Sequence, residues 1–362
     1  MSIKLLTKEI IAFILYKLDQ HNIWSFRPRN DIPLVLYYHR VCDRSNDLLS
    51  SPDLIVYRDN FAKQMKFLKE NFNVVSLDDI ARGIIEGNKV SRRDIAITFD
   101  DGYVDNYTHA FPILKDLGLP ATIFLTTEYI GTARLFWWDK LGLIFKEMKG
   151  KEVNWRSFPL DLFSSELIDL FDSALQRKEK RTPLTNYLKK IGIKGRSKII
   201  EFLEEKFIKG TDISPSDRLF LSWDEIKEMS FHNITFGSHS HSHSILTETE
   251  NEEVIRELIV SRNLIKNHTG INVTAFSYPD GSLNERTKNH VIDVGYKYAV
   301  QTNRKSNMQD FDMFSIPRKM VKERHSRGYI HTFSEAMFTM ELSGTASHIY
   351  FRDSRRNKLY DS

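Results

Sequence analysis

The chain has 362 residues, of which 41% are hydrophobic and 28% charged, and a formal net charge of +4. That length buries a large core and fits one large domain carrying an insertion about as well as two modest domains. The composition is that of a soluble globular protein, the charge is too small to imply nucleic acid, and no apolar run nears the roughly 18 residues of a membrane span.

Residues 1–20 contain the apolar segment IIAFILY, but Glu9 precedes it and no small-residue cleavage site follows, so no signal peptide is expected. Ile3, Leu6, Ile10, Phe13 and Ile14 share one helical stripe. Packing on the domain is the expected fate of that stripe, and a seat on a membrane surface is the alternative. The single cysteine, Cys42, excludes an internal disulfide and suits a reducing compartment, so a cytoplasmic protein is expected, peripheral at the inner membrane face if the stripe meets lipid.

Short β-rich runs then alternate with helical patterns. The strands are read at 34–38, 95–99, 121–125, 234–238, 272–278 and 296–302. Helical spacing marks 61–70, the segment after a Ser76 cap, and a long helix ending at Gly270. This alternation argues for an α/β fold with a parallel sheet or barrel. Between the strands at 121 and 234 lie more than a hundred residues, where one βα unit needs about thirty. Two stretches there, SSELIDLFDSAL and SKIIEFLEEKF, have helical periodicity, so a helical insertion is expected at 131–220. The resulting plan is an N-terminal helix in 1–30, a core domain in 31–130 and 221–320, and a C-terminal extension in 321–362. Residues 318–362 hold nine Lys/Arg against five Asp/Glu, a basic end that is either solvated or a contact for an anionic partner.

Chemistry gathers at the strand ends. IAITF runs into Asp100, Asp101, Gly102 and Tyr103, placing two carboxylates at the edge where barrels and open α/β sheets build active sites. Asp-Asp-Gly is also an ordinary turn signal. ITFGS leads into HSHSH, where His239 and His243 face the same way on a helical turn, and His239, His241 and His243 share a face on a strand. Two further strand ends carry Tyr38, His39 and Arg40, and Tyr278, Pro279, Asp280 and Gly281. Pro279 and Gly281 have a bland reading as turn formers, and His39 as a partly buried histidine. Recurrence at four strand ends favours a site.

In order and spacing along 32–320 the chain resembles the polysaccharide deacetylase family, the NodB-like deacetylases of carbohydrate esterase family four. TFDDGY resembles the family's first motif, SHSHSH its His-(Ser/Thr)-x-x-His motif at 239–243, and FSYPDG the Tyr-Pro-x-Gly form of its third. Softer similarities lie in YYHRV, FWWDKL, LSWDEIKEM and FSIPRKMV. The resemblance implies a distorted (β/α) barrel with a helical insertion and a divalent metal, commonly zinc, held by Asp101, His239 and His243. It makes Asp100 the general base, leaves His241 out of the ligand set, and gives the backbone N–H of Asp280 to an oxyanion. Two imidazoles and one carboxylate suit zinc with an open position for water.

Two departures from the family pattern stand out. Ser277 occupies the place of an arginine that orients the catalytic aspartate, and Arg318 is the candidate substitute, pairing with Asp100 across the barrel mouth. The family's general acid, a histidine, has no clean match, and His331, His325 and His39 are the candidates. His39, Tyr103, Tyr278, Pro279, Asp280 and Gly281 complete the set as substrate-binding residues. The expected activity is removal of an N-acetyl group from an amino sugar in a polysaccharide or a nucleotide- or lipid-linked glycan precursor. Deformylation, hydrolysis of another amide, or a glycan-binding module without activity are the alternatives. A glycoside hydrolase fits poorly, because adjacent Asp100 and Asp101 would not flank one bond at the required separation.

Overall fold

The computed structural model describes residues 3–18, 33–44, 50–87, 91, 93–176, 181–209, 218–302, 312–330 and 332–344. Its strands are β1 (Leu34–Tyr38), β2 (Arg40–Cys42), β3 (Ile55–Tyr57), β4 (Asn73–Val74), β5 (Asp94–Phe99), β6 (Ala121–Leu125), β7 (Ile234–Ser238), β8 (Ala275–Ser277), β9 (Tyr298–Gln301) and β10 (Ile316–Met320). The helices are α1 (Ile3–Leu18), α2 (Arg58–Asn71), α3 (Leu77–Ile85), α4 (Phe111–Leu117), α5 (Trp137–Met148), α6 (Ser165–Gln176), α7 (Arg181–Lys190), α8 (Gly192–Phe207), α9 (Trp223–Ser230), α10 (Asn251–Thr269), α11 (Glu285–Asp293) and α12 (Glu335–Ser343).

Strand β1 pairs with β10 on one side and with β5 on the other, closing a ring in the order β1, β10, β9, β8, β7, β6, β5. Every pairing in the ring is parallel, and β4 adds to the start of β5. Strands such as LVLYY and ATIFL are buried at every position, as a parallel sheet covered by helices requires. Because the strands are parallel, all their carboxyl ends open on one rim, and the polar groups that follow them in sequence meet there. The fold is therefore the expected (β/α) barrel.

Strand β10 has no counterpart among the sequence-predicted strands, because IPRKM combines a proline with two cations and shows no apolar alternation. Its charges are satisfied by distant partners: Arg318 by Asp100, and Lys319 by Glu341 at 2.9 Å. Helices α5 to α8 carry a core of their own, in which Phe145, Phe158, Phe163 and Phe171 are all buried. The local signals act as read: Ser76 caps α3 by accepting from the N–H of Asp79, and α10 ends on Gly270 in the left-handed conformation.

One expectation is corrected at the N-terminus. Leu6, Ile10, Phe13 and Ile14 face outward, the last three each about half exposed, and the Ile3 side chain lies outside the described residues. What packs is the opposite face. Ala12, flanked by Leu5 and Tyr16, lies against Ala336, Met337 and Met340 of α12, and the Tyr16 hydroxyl donates to Glu335 at 2.9 Å. The small Ala12 side chain lets α1 approach α12 closely, which the larger stripe residues would prevent.

Candidate active site

Asp100 follows β5 directly, and its N–H donates to the Tyr38 carbonyl at 3.0 Å, which fixes it at the barrel rim. Arg318, on β10, reaches it through the barrel interior: Nη1 donates to Oδ1 at 2.8 Å and Nη2 to Oδ2 at 2.7 Å. The same guanidinium donates to Thr98 at 3.0 Å and to Ser277 at 2.8 Å, and lies over the ring of Tyr37. Ser277 thus stands beside the fork expected to substitute for an arginine at its own position. Burial by itself would raise the Asp100 carboxyl, but the Arg318 charge and its hydrogen bonds outweigh that and hold it well below the usual carboxylate range. The carboxylate is ionised and locked in one orientation.

Asp101 turns away from this fork. Its Oδ1 lies 3.6 Å from His239 Nε2 and 3.4 Å from His243 Nε2, and one ligand atom from each residue falls within 4.8 Å of the others. This oxygen is buried with no hydrogen-bond partner, an arrangement a cation would satisfy. His239 donates from Nδ1 to the Ser277 carbonyl at 2.7 Å, which leaves Nε2 as the lone pair facing Asp101. Burial pushes both imidazoles down, so they are neutral, the form that ligates a metal. Burial, then the Asp100 charge, pushes Asp101 up, a shift a divalent ion would reverse. The trio fits a divalent metal.

The histidine loop is neither helix nor strand. Ser240 and His243 both adopt left-handed backbone, at φ 64°, and Asp101 does so at φ 77°. Such conformations in non-glycine residues store strain on the order of 1–3 kcal/mol each, which the surroundings must overcome. Glu257 of α10 does so by accepting from the N–H groups of His241 and Ser242, each at 2.8 Å, and from the Ser242 hydroxyl at 2.6 Å. His241 turns aside to pair with the Thr127 hydroxyl at 2.9 Å. Sequence reading missed Glu257, since a glutamate in a helix carries no signal of a partner in another element.

A cavity of about 420 Å³ opens over these groups, lined by Asp100, Asp101, His239 and His243 together with His39, Tyr278 and Asp280. Nδ1 of His39 is buried without a partner, and burial pushes its imidazole down to about 4. Three of the residues expected to contact substrate lie off this cavity. Tyr103 is fully buried, stacked on Phe220, with its hydroxyl donating to Asp139 at 2.8 Å. Pro279 and Gly281 shape the turn without lining the cavity. At Gly281, with φ 68°, a Cβ would collide with the Thr302 hydroxyl. His325 is also off the cavity, 3.8 Å from Glu341. His331 lies outside the described residues. The insertion lines the cavity with Trp137 and Trp138, from the FWWDKL stretch, and with Arg181, Lys189 and Arg196, which sequence reading did not single out. The rings of Phe136 and Trp138 pack on His243 at 5.2 and 5.0 Å.

A parallel barrel with a carboxylate-dihistidine trio beside an arginine-held aspartate fits a hydrolase of the deacetylase type. The profile of the family described as Polysaccharide deacetylase matches residues 87–158 and 170–299, and the chain belongs to that family. Its members are hydrolases acting on amide C–N bonds, and so is this chain. It is similar to a Bacillus subtilis protein named as the polysaccharide deacetylase YxkH, 23% identical over 304 residues, 84% of this chain and 76% of that one. The poly-beta-1,6-N-acetyl-D-glucosamine N-deacetylase of Staphylococcus epidermidis is 24% identical over 236 residues, 62% of this chain and 78% of its own. Among solved structures, Streptococcus pyogenes deacetylase PplD in complex with acetate superposes with a TM-score of 0.53 at 18% identity, covering 81% of this chain and 93% of that one.

Proposed function

We propose that this protein removes the N-acetyl group from an amino sugar within a polysaccharide or a glycan precursor, using Asp100 as general base beside a divalent metal, zinc by donor type. The observation that carries the reading is the pairing of an ionised, arginine-held Asp100 with the unsatisfied buried oxygen of its neighbour Asp101. The Staphylococcus relative, named for an N-acetylglucosamine polymer, supports an amino-sugar substrate.

Asp101, His239 and His243 would hold the metal, which when bound supplies Lewis acidity towards an amide carbonyl. Asp100 takes the proton of the attacking water, and Arg318 keeps it charged and aimed while it waits. The N–H of Asp280, on left-handed backbone at φ 57°, is the proposed donor to the developing oxyanion. Of the three candidate histidines His39 is the one described in the cavity, and the reading gives it, as a neutral imidazole, relay of the proton taken up by Asp100 to the leaving nitrogen. Phe136 and Trp138 shield His243 from water.

The exposed stripe on α1 supports a peripheral seat on an anionic membrane. Leu6, Ile10, Phe13 and Ile14 form the apolar face, and Lys17 lies beside Phe13 with its ammonium 5.6 Å from the ring. Acetate release from N-acetylated oligosaccharides, measured with metal content, tests the central reading. Formate release in its place would indicate deformylation, and no release by metal-loaded protein would leave a binding module.

A further inference from the structure

Helices α7 and α8 of the insertion bring Arg181, Lys189 and Arg196 to the wall of the active-site cavity, and Lys322 joins them from the barrel side. Lys189 pairs with Asp280, and Lys322 lies 3.5 Å from Asp53. Arg196 is different. It is only 9% exposed, its guanidinium lies 4.7 Å over the ring of Trp137, and among the described residues it has no hydrogen-bond acceptor and no carboxylate within 4.0 Å. Glu248 and Asp280 are near enough to oppose the lowering of its pKa by burial, yet neither forms an ion pair with it.

A guanidinium carries five donors in a planar fork, and donors that the protein leaves unmatched at a cavity wall are open to a ligand that completes them. Stacking on Trp137 fixes the plane of the fork and leaves its edge for an acceptor. A planar, stacked arginine is the arrangement that recognises a carboxylate or a phosphate. We propose that Arg196, with Lys189 on the same cavity wall, forms a subsite for an anionic group on the substrate, a carboxylate or phosphate carried next to the N-acetylated sugar. Binding that anion draws on a side chain of the insertion, so the insertion reads charge while the barrel performs the hydrolysis. The inference rests on the deacetylase reading for its substrate, but its binding test does not.

The test compares two N-acetylated oligosaccharides of equal length, one neutral and one alternating with uronic acid, and adds an N-acetylated sugar phosphate as a third substrate. The ratio of kcat/KM for charged over neutral substrate should fall about 10-fold or more in Arg196→Gln and partly recover in Arg196→Lys. The uronate and phosphate arms show which anion the site prefers. Independently, inorganic phosphate and free glucuronate should perturb tryptophan fluorescence in wild type, more weakly in Arg196→Gln, and not through Trp137 in Trp137→Phe. An unchanged ratio, together with equal anion binding by wild type and Arg196→Gln, overturns the subsite. Absence of acetate release from all three substrates would instead count against the deacetylase reading, and the anion titration would still decide the subsite.

Discussion

Arg318 holds Asp100 through two parallel hydrogen bonds, 2.8 Å to Oδ1 and 2.7 Å to Oδ2, across 218 positions of sequence. Neither group is viable without the other: the arginine is fully buried, and a buried carboxylate without a partner would take up a proton. Arg318→Lys keeps the charge and loses the fork, so turnover should fall about 10-fold or more with metal content retained. Arg318→Gln removes the charge that depresses Asp100 and leaves burial to raise it. The acid limb of the kcat/KM profile should therefore move to higher pH, and an unmoved limb would mean that Arg318 does not set the ionisation of Asp100.

Asp100→Asn keeps the shape of the side chain and its neighbours but cannot accept a proton. Turnover should drop by roughly 10²-fold or more, while the metal bound per chain stays near that of wild type. Near-normal turnover in this variant would remove Asp100 from the base role.

The double variant His239→Ala, His243→Ala leaves Asp101 as the one remaining ligand, too few for a stable site. Elemental analysis should find the wild type with about one divalent ion per chain and the variant with almost none. Full occupancy in the variant would place the metal elsewhere.

His39→Gln tests proton delivery. A loss of about 10²-fold in kcat with KM little changed is expected if the imidazole acts on the leaving nitrogen. If His325→Gln or His331→Gln shows that loss instead, the assignment passes to that residue.

On α1, Ile10→Glu with Phe13→Glu should abolish co-sedimentation with vesicles of anionic lipid, while acetate release from a soluble oligosaccharide stays at the wild-type level. Vesicle binding that survives both charges would show that the stripe does not face lipid.

The sequence by itself determined most of the barrel strands, because a strand buried on both faces must be an apolar run, and that requirement is local. It also placed Asp100, Asp101, His239 and His243 at strand ends, since parallel strands send whatever follows them to one rim. Tertiary structure alone decided the rest. IPRKM becomes a barrel strand only because Arg318 and Lys319 find carboxylates far along the chain. Glu257 holds the strained histidine loop from a helix whose own pattern predicts nothing but a helix. Tyr103 follows the Asp-Asp-Gly turn yet points into the core, because Phe220 and Asp139 receive its ring and its hydroxyl. Which face of α1 packs was likewise settled by α12, which accommodates Ala12 and leaves the broader apolar stripe outside. Periodicity states that a face is apolar, and only the partner's shape states which face is covered.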